Sequence, residues 1–344
     1  MEGDTEGAFY PYRKNDMNRV AVIGLGKMGL LHASLLNVIP DVKLVAVCEK
    51  SRLINRFSKN VFSNVKIVSN VSDLSDLNLD TVYITTPTTT HYEIIRAVIE
   101  QGLCRNIFVE KPLTNSAIDS QQLCDLVRKS THTGIYMVGY NRRFNVTFRK
   151  AMAIIQEGLL GEIVNFEGYA FSSDFLADSR EGKGINRGGV LKDLGCHAID
   201  LAIWFVGNIN LKSINSSKTS SDGVLDYASF AVSSAKGITG LIKVSWREPN
   251  YRLPEIGFVM EGSKGQKLTV NDDKVELSNK QGETRIWHKQ DLNDGINFML
   301  GGADYFREDE EYTNAVKTGT TIEPSFSTAL KVDEIIDSVE KSLA

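Results

Sequence analysis

The sequence lacks three features that would place the protein in a specialised class: paired cysteines, an excess of basic charge and a long apolar run. Its four cysteines are scattered with no C-x-x-C pair, which argues against disulfides or a zinc site and favours reduced thiols in the cytoplasm. The formal net charge is −4, so no basic field predicts binding to nucleic acid. No apolar run approaches the ~20 residues of a membrane span.

The length and composition predict two ordinary globular domains. The chain has 344 residues, too many for one comfortable hydrophobic core. It is 42% hydrophobic and 24% charged, as globular proteins usually are. Residues 1–17 are polar and lack the apolar stretch of a secretory signal, so we expect a loosely ordered N-terminal extension before Asn18.

A glycine-rich turn follows the first predicted strand, residues 20–23. The glycines are spaced as G-x-G-x-x-G: one for a tight turn, one for backbone approach to a pyrophosphate and one for close helix packing. The free N–H groups of the next helix would face the phosphates. The alternative is an ordinary strand–helix turn. The residues predicted to contact a dinucleotide here are Gly24, Gly26, Lys27, Met28 and Gly29.

An acidic residue closes the second predicted strand, residues 43–48. Glu49 lies 20 residues after Gly29, where a carboxylate can accept both ribose hydroxyl protons and repel a 2′-phosphate. The sequence therefore predicts NAD as the cofactor. Lys50 and Arg52 are cations that could tolerate the extra phosphate, so NADP remains the alternative.

The pattern of elements changes near residue 145. Strands and helices alternate before it, which predicts a doubly wound parallel sheet. After it, one helix precedes several strand-like stretches separated by glycine and charged turns, which predicts an α+β domain with a mostly antiparallel sheet. We expect an extension at 1–17, an NAD(P)-binding Rossmann domain at 18–138, and an α+β substrate-binding and oligomerisation domain at 139–344. The last helix could pack back on the first domain.

Two predicted strands of the first domain end in polar segments. Thr86, Pro87 and His91 follow one strand, and Glu110-Lys111-Pro112 follows the next. Ligands of open parallel sheets bind beyond the carboxyl ends of the strands, so we expect Thr86, Pro87, His91, Glu110 and Lys111 to border the cofactor. The alternatives are a surface lysine for Lys111 and a packed or capping histidine for His91.

Asp193 and His197 form a second candidate pair. Their i, i+4 spacing would put them on one face of a helix, where the carboxylate could raise the basicity of the imidazole and fix its tautomer. Cys196 between them is expected to be a small packed residue. The alternative is a helix-capping aspartate with a packed histidine. It is disfavoured only when Lys111 is considered together with the pair.

Five segments occur in a specific order: VAVIGLGKMG, TTPTTTH, VEKP, GYNRRF and GGVLKDLGCHAIDL. In this respect the chain resembles the Gfo/Idh/MocA oxidoreductases, the glucose–fructose oxidoreductase and inositol dehydrogenase group, from about residue 18 to the C-terminus. The resemblance implies a Rossmann domain followed by an α+β domain with a large open sheet. That sheet often serves as an oligomer interface, which implies a homodimer or homotetramer.

The resemblance also assigns roles to residues. It implies that Lys111, Asp193 and His197 are catalytic, and that the segment Tyr140-Asn141-Arg142 borders the nicotinamide and the substrate. Substrate-binding residues would then be Lys111, Asn141, Arg142, Asp193 and His197. Two local features are less usual: Lys192, and a basic stretch that could recognise a phosphate or carboxylate or be a solvated loop. The basic stretch contains Arg180, Lys183 and Arg187.

These observations predict an NAD(P)-dependent dehydrogenase that transfers a hydride between the nicotinamide and a secondary hydroxyl of a sugar, sugar derivative or cyclitol. His197 would take the hydroxyl proton, with Lys111 as the alternative base; Lys111 would hold the reacting oxygen and Asp193 would orient both. Two other functions stay open: a redox-neutral enzyme that cleaves glycosides with the same cofactor, and a non-catalytic dinucleotide sensor. The sequence does not identify the substrate.

Overall fold

The computed structural model describes residues 17–130, 133–174, 187–221, 223–292, 295–296 and 302–343. The predicted N-terminal extension at 1–17 therefore lies outside the described residues, apart from Met17. Two sheets organise the described chain, one of six strands and one of eight. No helix in these ranges is long and apolar enough to cross a membrane.

The first sheet is parallel throughout and has the strand order β3-β2-β1-β4-β5-β6. Its central strands are mostly apolar on both faces and nearly all of their residues are buried, as helices on both sides require. This confirms the predicted doubly wound sheet. The strands are β1 (Asn18–Ile23), β2 (Val42–Cys48), β3 (Lys66–Val68), β4 (Thr81–Ile84), β5 (Asn106–Glu110) and β6 (Tyr136–Gly139).

The helices of this layer are α1 (Lys27–Leu36), α2 (Arg52–Val61), α3 (His91–Glu100) and α4 (Ala117–Lys129). The Ser116 hydroxyl caps α4 by accepting a hydrogen bond from the Asp119 N–H. The strand order reverses between β1 and β4, which opens a crevice at their carboxyl ends. Dinucleotides bind in such crevices, so the fold places the glycine-rich turn where a cofactor would lie.

The second sheet has the order β14-β13-β12-β11-β7-β10-β9-β8, and β7 with β10 is its parallel pair. The other neighbouring strands are antiparallel, which confirms the predicted α+β architecture. The strands are β7 (Ile163–Phe171), β8 (Ile209–Thr219), β9 (Leu225–Ser234), β10 (Thr239–Ser245), β11 (Glu255–Gly262), β12 (Lys267–Asn271), β13 (Lys274–Ser278) and β14 (Thr284–His288).

The remaining helices cover one face of the second sheet or pack against the parallel layer. They are α5 (Val146–Gln156), α6 (Cys196–Val206), α7 (Ala303–Thr318) and α8 (Phe326–Leu343). Helix α6 is buried along nearly its whole length, because it lies between the second sheet and α8. Helix α7 packs on α1 and α8 packs on α4, so the C-terminal helices contact the parallel layer. The candidate site lies between the two layers.

Candidate active site

The glycine-rich turn has the geometry that a pyrophosphate cradle needs. Gly24 has φ +92°, and a Cβ there would approach Thr86 Cγ2 at 2.6 Å. A Cβ at Gly29 would overlap the Gly24 carbonyl oxygen, so α1 can pack closely only with glycine there. Apart from its neighbours in the chain, no described residue has an atom within 4 Å of a Cβ built on Gly26, which leaves space in front of the helix.

The N-terminus of α1 is suited to an anion. No side chain caps it, and its first turn, which starts at Lys27 and Met28, carries no acidic residue. The Glu49 carboxylate instead accepts hydrogen bonds from the Leu25 N–H at 2.8 Å and the Ser51 N–H at 2.7 Å. It therefore holds the turn against the end of β2, at the place predicted for the ribose. The described turn fits a bound dinucleotide.

His91 lies elsewhere than expected for a cofactor-binding residue. Its ring is fully buried. Nε2 lies 2.8 Å from the Thr86 carbonyl oxygen, and Nδ1 lies 3.1 Å from that of Pro112. This packing favours the alternative of a packed histidine, and direct cofactor binding by His91 stays a prediction. His91 connects the segment of Thr86 and Pro87 to the segment after Lys111.

Glu110 belongs to a buried cluster that the sequence reasoning missed. His32 Nε2 lies 3.0 Å from Glu110 Oε1, and His32 Nδ1 lies 2.9 Å from both carboxylate oxygens of Asp309 on α7. Burial lowers the pKa of His32, but the two carboxylates outweigh it and raise this pKa well above its usual value. Glu110 Oε2 also accepts the Lys111 N–H at 3.2 Å. Glu110 thus fixes the lysine segment rather than reaching outward. The available signal in the sequence was His32 itself, which lies three residues after Gly29 and on the same buried face of α1.

Lys111 and Asp193 are brought together. Lys111 Nζ donates to the Asp193 carbonyl oxygen at 2.6 Å and lies 3.7 Å from its Oδ1. Burial lowers the pKa of Lys111, but the neighbouring Asp193 and Glu110 carboxylates contribute to a net rise. The ammonium form therefore persists at neutral pH. The peptide bond between Lys111 and Pro112 is cis.

The predicted contact between the side chains of Asp193 and His197 is absent from the described structure. No hydrogen bond joins their side chains, although both residues are described. The reason is local geometry, because Leu191–Gly195 is a π-helical turn before α6, and the i, i+4 alignment of an α-helix does not apply there. The Asp193 carboxylate instead accepts from Trp246 Nε1 at 3.1 Å and contacts Arg187 Nη1 at 3.1 Å. Nothing in the sequence singled out Trp246, which directly follows β10 and is 53 residues away from Asp193 in the chain.

His197 is a buried, neutral imidazole. The residue is 9% exposed, its Nδ1 has no hydrogen-bond partner among the described residues, and its ring meets the Tyr140 ring edge-on at 6.1 Å. Burial, and then the positive charges of Lys111 and Arg142, lower its pKa well below the usual value. His197 can therefore accept a proton at neutral pH. Its basicity does not come from Asp193.

Asn141 and Arg142 are held by two aspartates. Asn141 Nδ2 and Arg142 Nη1 both donate to Asp304 Oδ2, at 2.9 and 3.3 Å. Arg142 Nε lies 3.2 Å from Asp272 Oδ1. Asn141 is 3% exposed, whereas the Arg142 side chain is 21% exposed and contributes to the potential at His197. Arg142 is therefore the more accessible of the two predicted substrate ligands.

Arg187 is part of the site. Its Nη1 contacts Asp174 Oδ2 at 2.7 Å as well as Asp193, and its guanidinium lies 6.0 Å from the centre of the Trp246 ring. The Arg187 side chain is 41% exposed, as the solvated-loop interpretation expects, but its charged end contacts carboxylates of the site. Arg180 and Lys183, the other members of the basic stretch, lie outside the described residues. The Arg187 charge is compensated by two carboxylates.

Models of one protein family match two segments of the chain. The model described as "Oxidoreductase family, NAD-binding Rossmann fold" matches residues 18–140, and that of the GFO/IDH/MocA C-terminal domain matches residues 148–267. Together they match well over half of the chain. The protein belongs to the GFO/IDH/MocA oxidoreductase family, which confirms the resemblance and the NAD-binding Rossmann fold.

Named relatives include inositol dehydrogenases. The chain is 33% identical to scyllo-inositol 2-dehydrogenase (NAD(+)) of Bacillus subtilis over 202 residues, which is 55% of this chain and 54% of the relative. That match thus spans about half of the relative's length. Inositol 2-dehydrogenase of Rhizobium meliloti is 26% identical over 340 residues, 95% of this chain and 97% of the relative.

A solved structure has the same fold. Levoglucosan dehydrogenase in complex with NADH and levoglucosan superposes with a TM-score of 0.81 at 22% identity, over 94% of this chain and 96% of that one. At this identity the similarity concerns the fold.

Proposed function

We propose that the protein is an NAD(P)-dependent dehydrogenase, with NAD preferred, that oxidises a secondary hydroxyl of a cyclitol or sugar derivative. The observation that carries the proposal is the contact of Lys111 with Asp193 beside the neutral imidazole of His197. These groups lie beyond the carboxyl end of β5, at the edge where ligands of such sheets bind. A cation and a neutral base together suit removal of a proton from an alcohol whose oxygen gains negative charge.

The glycine-rich turn, the N-terminus of α1 and Glu49 would hold the cofactor. Bound NAD would supply the hydride acceptor. Gly26 leaves room for the backbone to approach the pyrophosphate, Gly24 and Gly29 permit the tight turn and close helix packing, and Glu49 would face the ribose. Thr86 and Pro87 would border the cofactor at the end of β4.

His197 accepts the proton of the substrate hydroxyl in this mechanism, because its lowered pKa keeps it neutral. Lys111 donates a hydrogen bond to the same oxygen and stabilises its developing negative charge. The raised pKa of Lys111 makes it a poor base and a persistent cation. Asp193 is a positioning group that holds Lys111 through its carbonyl oxygen.

The charges around the site favour an uncharged substrate. Three cations of the described site are already paired with carboxylates: Lys111 with Asp193, Arg142 with Asp272 and Asp304, and Arg187 with Asp174 and Asp193. A phosphate or carboxylate on the substrate would have to compete with these partners. The names of the relatives point the same way, to inositols and levoglucosan.

A substrate panel tests the proposal. Inositols, aldoses, anhydrosugars, sugar phosphates and uronates are supplied with NAD or NADP, and NADH or NADPH absorbance is followed. We expect turnover of at least one uncharged polyol and none of the phosphates. Tight NAD binding without turnover of any compound would favour a dinucleotide sensor. Isotope exchange at C2 of a sugar without net reduction of NAD would favour redox-neutral glycoside cleavage.

We also propose a homodimer or homotetramer in the cytoplasm, assembled through the open face of the second sheet. Buried residues and residues facing outward alternate along β7. The outward residues include Tyr169 and Phe171, whose rings stack with their centroids 4.9 Å apart. Leu241 and Val259 on the neighbouring strands are only partly covered. Light scattering tests the assembly, and a monomer at micromolar concentration would contradict it.

A further inference from the structure

We propose that the C-terminal helix α8 fixes the position of Asp193 relative to Lys111, with Lys192 and Glu340 as the positioning residues. The inference deepens the proposed function and rests on it. Three acidic residues, Asp333, Asp337 and Glu340, are spaced four and three apart and so lie on one face of α8. They contact two separate segments of the candidate site.

One end of this acidic face holds the segment that follows Lys111. Asp333 Oδ2 accepts a hydrogen bond from Ser120 Oγ at 2.6 Å and lies 3.4 Å from the Thr114 N–H. Asp337 Oδ2 accepts from the Ala117 N–H at 3.3 Å, at the start of α4. Asp333 is buried, so its contacts are shielded from water. The helix therefore fixes the chain within a few residues of the lysine.

The other end holds the residue that precedes Asp193. Lys192 Nζ lies 2.9 Å from Glu340 Oε2, and the Lys192 side chain is only 14% exposed. Its stem is confined at Gly188, where an added Cβ would lie 3.2 Å from Lys192 Cδ. Lys192 and Asp193 are neighbours in the same π-helical turn, yet one contacts α8 and the other contacts the reacting groups. The ion pair therefore anchors this turn from the side of the C-terminal helix.

The two ends of the acidic face of α8 hold the two segments that meet at the contact between Lys111 and Asp193. Lys111 Nζ and the Asp193 carbonyl oxygen lie 2.6 Å apart and come from segments 82 residues apart in the chain. Displacing a catalytic group by roughly 1 Å can lower a rate on the order of a hundredfold. A single, partly exposed ion pair provides only part of the restraint, so we expect about a three- to tenfold effect. Glu340 contacts no reacting group and acts through Lys192.

Charge exchange tests this inference. Glu340→Gln and Lys192→Met should each lower kcat about three- to tenfold, with the Kd for NAD changed by less than about twofold, because the ion pair that they remove joins α8 to the π-helical turn and not to the cofactor turn. The double variant Lys192→Glu with Glu340→Lys should recover at least half of the lost rate. The matched control is Glu334→Gln, which removes an exposed ion pair with Lys331 on the same helix and should leave kcat unchanged.

A crystal structure of Glu340→Gln supplies a readout that does not depend on turnover. We expect the distance between Lys111 Nζ and the Asp193 carbonyl oxygen to exceed 3.5 Å. An unchanged distance with unchanged kcat would overturn the inference, and so would failure of the exchanged pair to recover the rate. If the wild-type protein oxidises no polyol, the proposed function fails, and the crystallographic distance alone then decides the inference.

Discussion

Lys111 is joined to Asp193 through the main chain more closely than through the carboxylate. Its Nζ lies 2.6 Å from the Asp193 carbonyl oxygen but 3.7 Å from Oδ1. The carboxylate is used by Trp246 and Arg187 instead. The position of the ammonium group therefore depends on the backbone of the π-helical turn, and the two parts of Asp193 have separate effects.

Asp193→Asn should weaken catalysis only moderately. The carbonyl oxygen that holds Lys111 remains, while the ion pairs with Lys111 and Arg187 are lost. A partly exposed pair contributes roughly 1 kcal/mol, which corresponds to about a fivefold loss of kcat. Steady-state kinetics and NAD titration measure the two effects. A loss as large as that of Lys111→Ala would show that the carboxylate itself takes part in the chemistry.

Lys111→Ala should remove most of the activity without unfolding the protein. The missing cation would no longer stabilise charge on the substrate oxygen, and such losses are on the order of 10²–10³ in rate. Circular dichroism serves as the control for folding. Near-normal kcat in the folded variant would reduce Lys111 to a structural residue.

The sequence predicted the parts of the site that belong to regular elements. Gly24, Gly29 and Lys111 follow buried strands whose apolar runs are easily recognised, and the topology of a parallel sheet places strand ends together. Glu49 was predicted for the same reason. Its position at the end of β2 needs no knowledge of distant contacts.

The rest of the site depends on contacts between distant residues or on an irregular turn. His32 meets Asp309, and Lys192 meets Glu340, across separations of 277 and 148 residues that no local pattern encodes. The predicted contact between Asp193 and His197 is absent because a π-helical turn replaces the expected α-helix. Such turns have no strong local sequence signal, and they are frequent at functional sites.

Glu49 should set the cofactor preference. Wild-type kcat/KM should be higher with NAD than with NADP, because the carboxylate at the ribose repels a 2′-phosphate. Glu49→Gln should reduce that ratio by about tenfold, equivalent to roughly 1.4 kcal/mol. Arg52→Ala, at the start of α2, removes the opposing cation for comparison and should leave NAD preferred. A clear wild-type preference for NADP would indicate that Lys50 and Arg52 dominate this end of the site.

Asp333 should make stability depend on pH near neutrality. Burial raises the pKa of this carboxyl to about 7, despite its hydrogen bonds from Ser120 and Thr114. The folded state then binds more protons than the unfolded state between the usual aspartate pKa and about 7. The free energy of unfolding should therefore fall as the pH rises through that window, by at most about 1.4 kcal/mol per pH unit from this group.

Asp333→Asn should remove that contribution, because an amide does not titrate. Urea unfolding at pH 5, 6, 7 and 8 measures the slope for both proteins. The variant should gain stability over the wild-type protein as the pH rises. Parallel curves for the two proteins would contradict the raised pKa.

The most direct test of the account is the pH dependence of kcat/KM for wild type and His197→Ala. The neutral imidazole is the proposed base and its pKa is lowered, so the rate should fall only when the pH drops well below 6.5. His197→Ala should lose roughly 10²–10⁴ in rate and should also lose that acidic limb. A limb that persists in the variant at a similar rate would show that another group takes the proton.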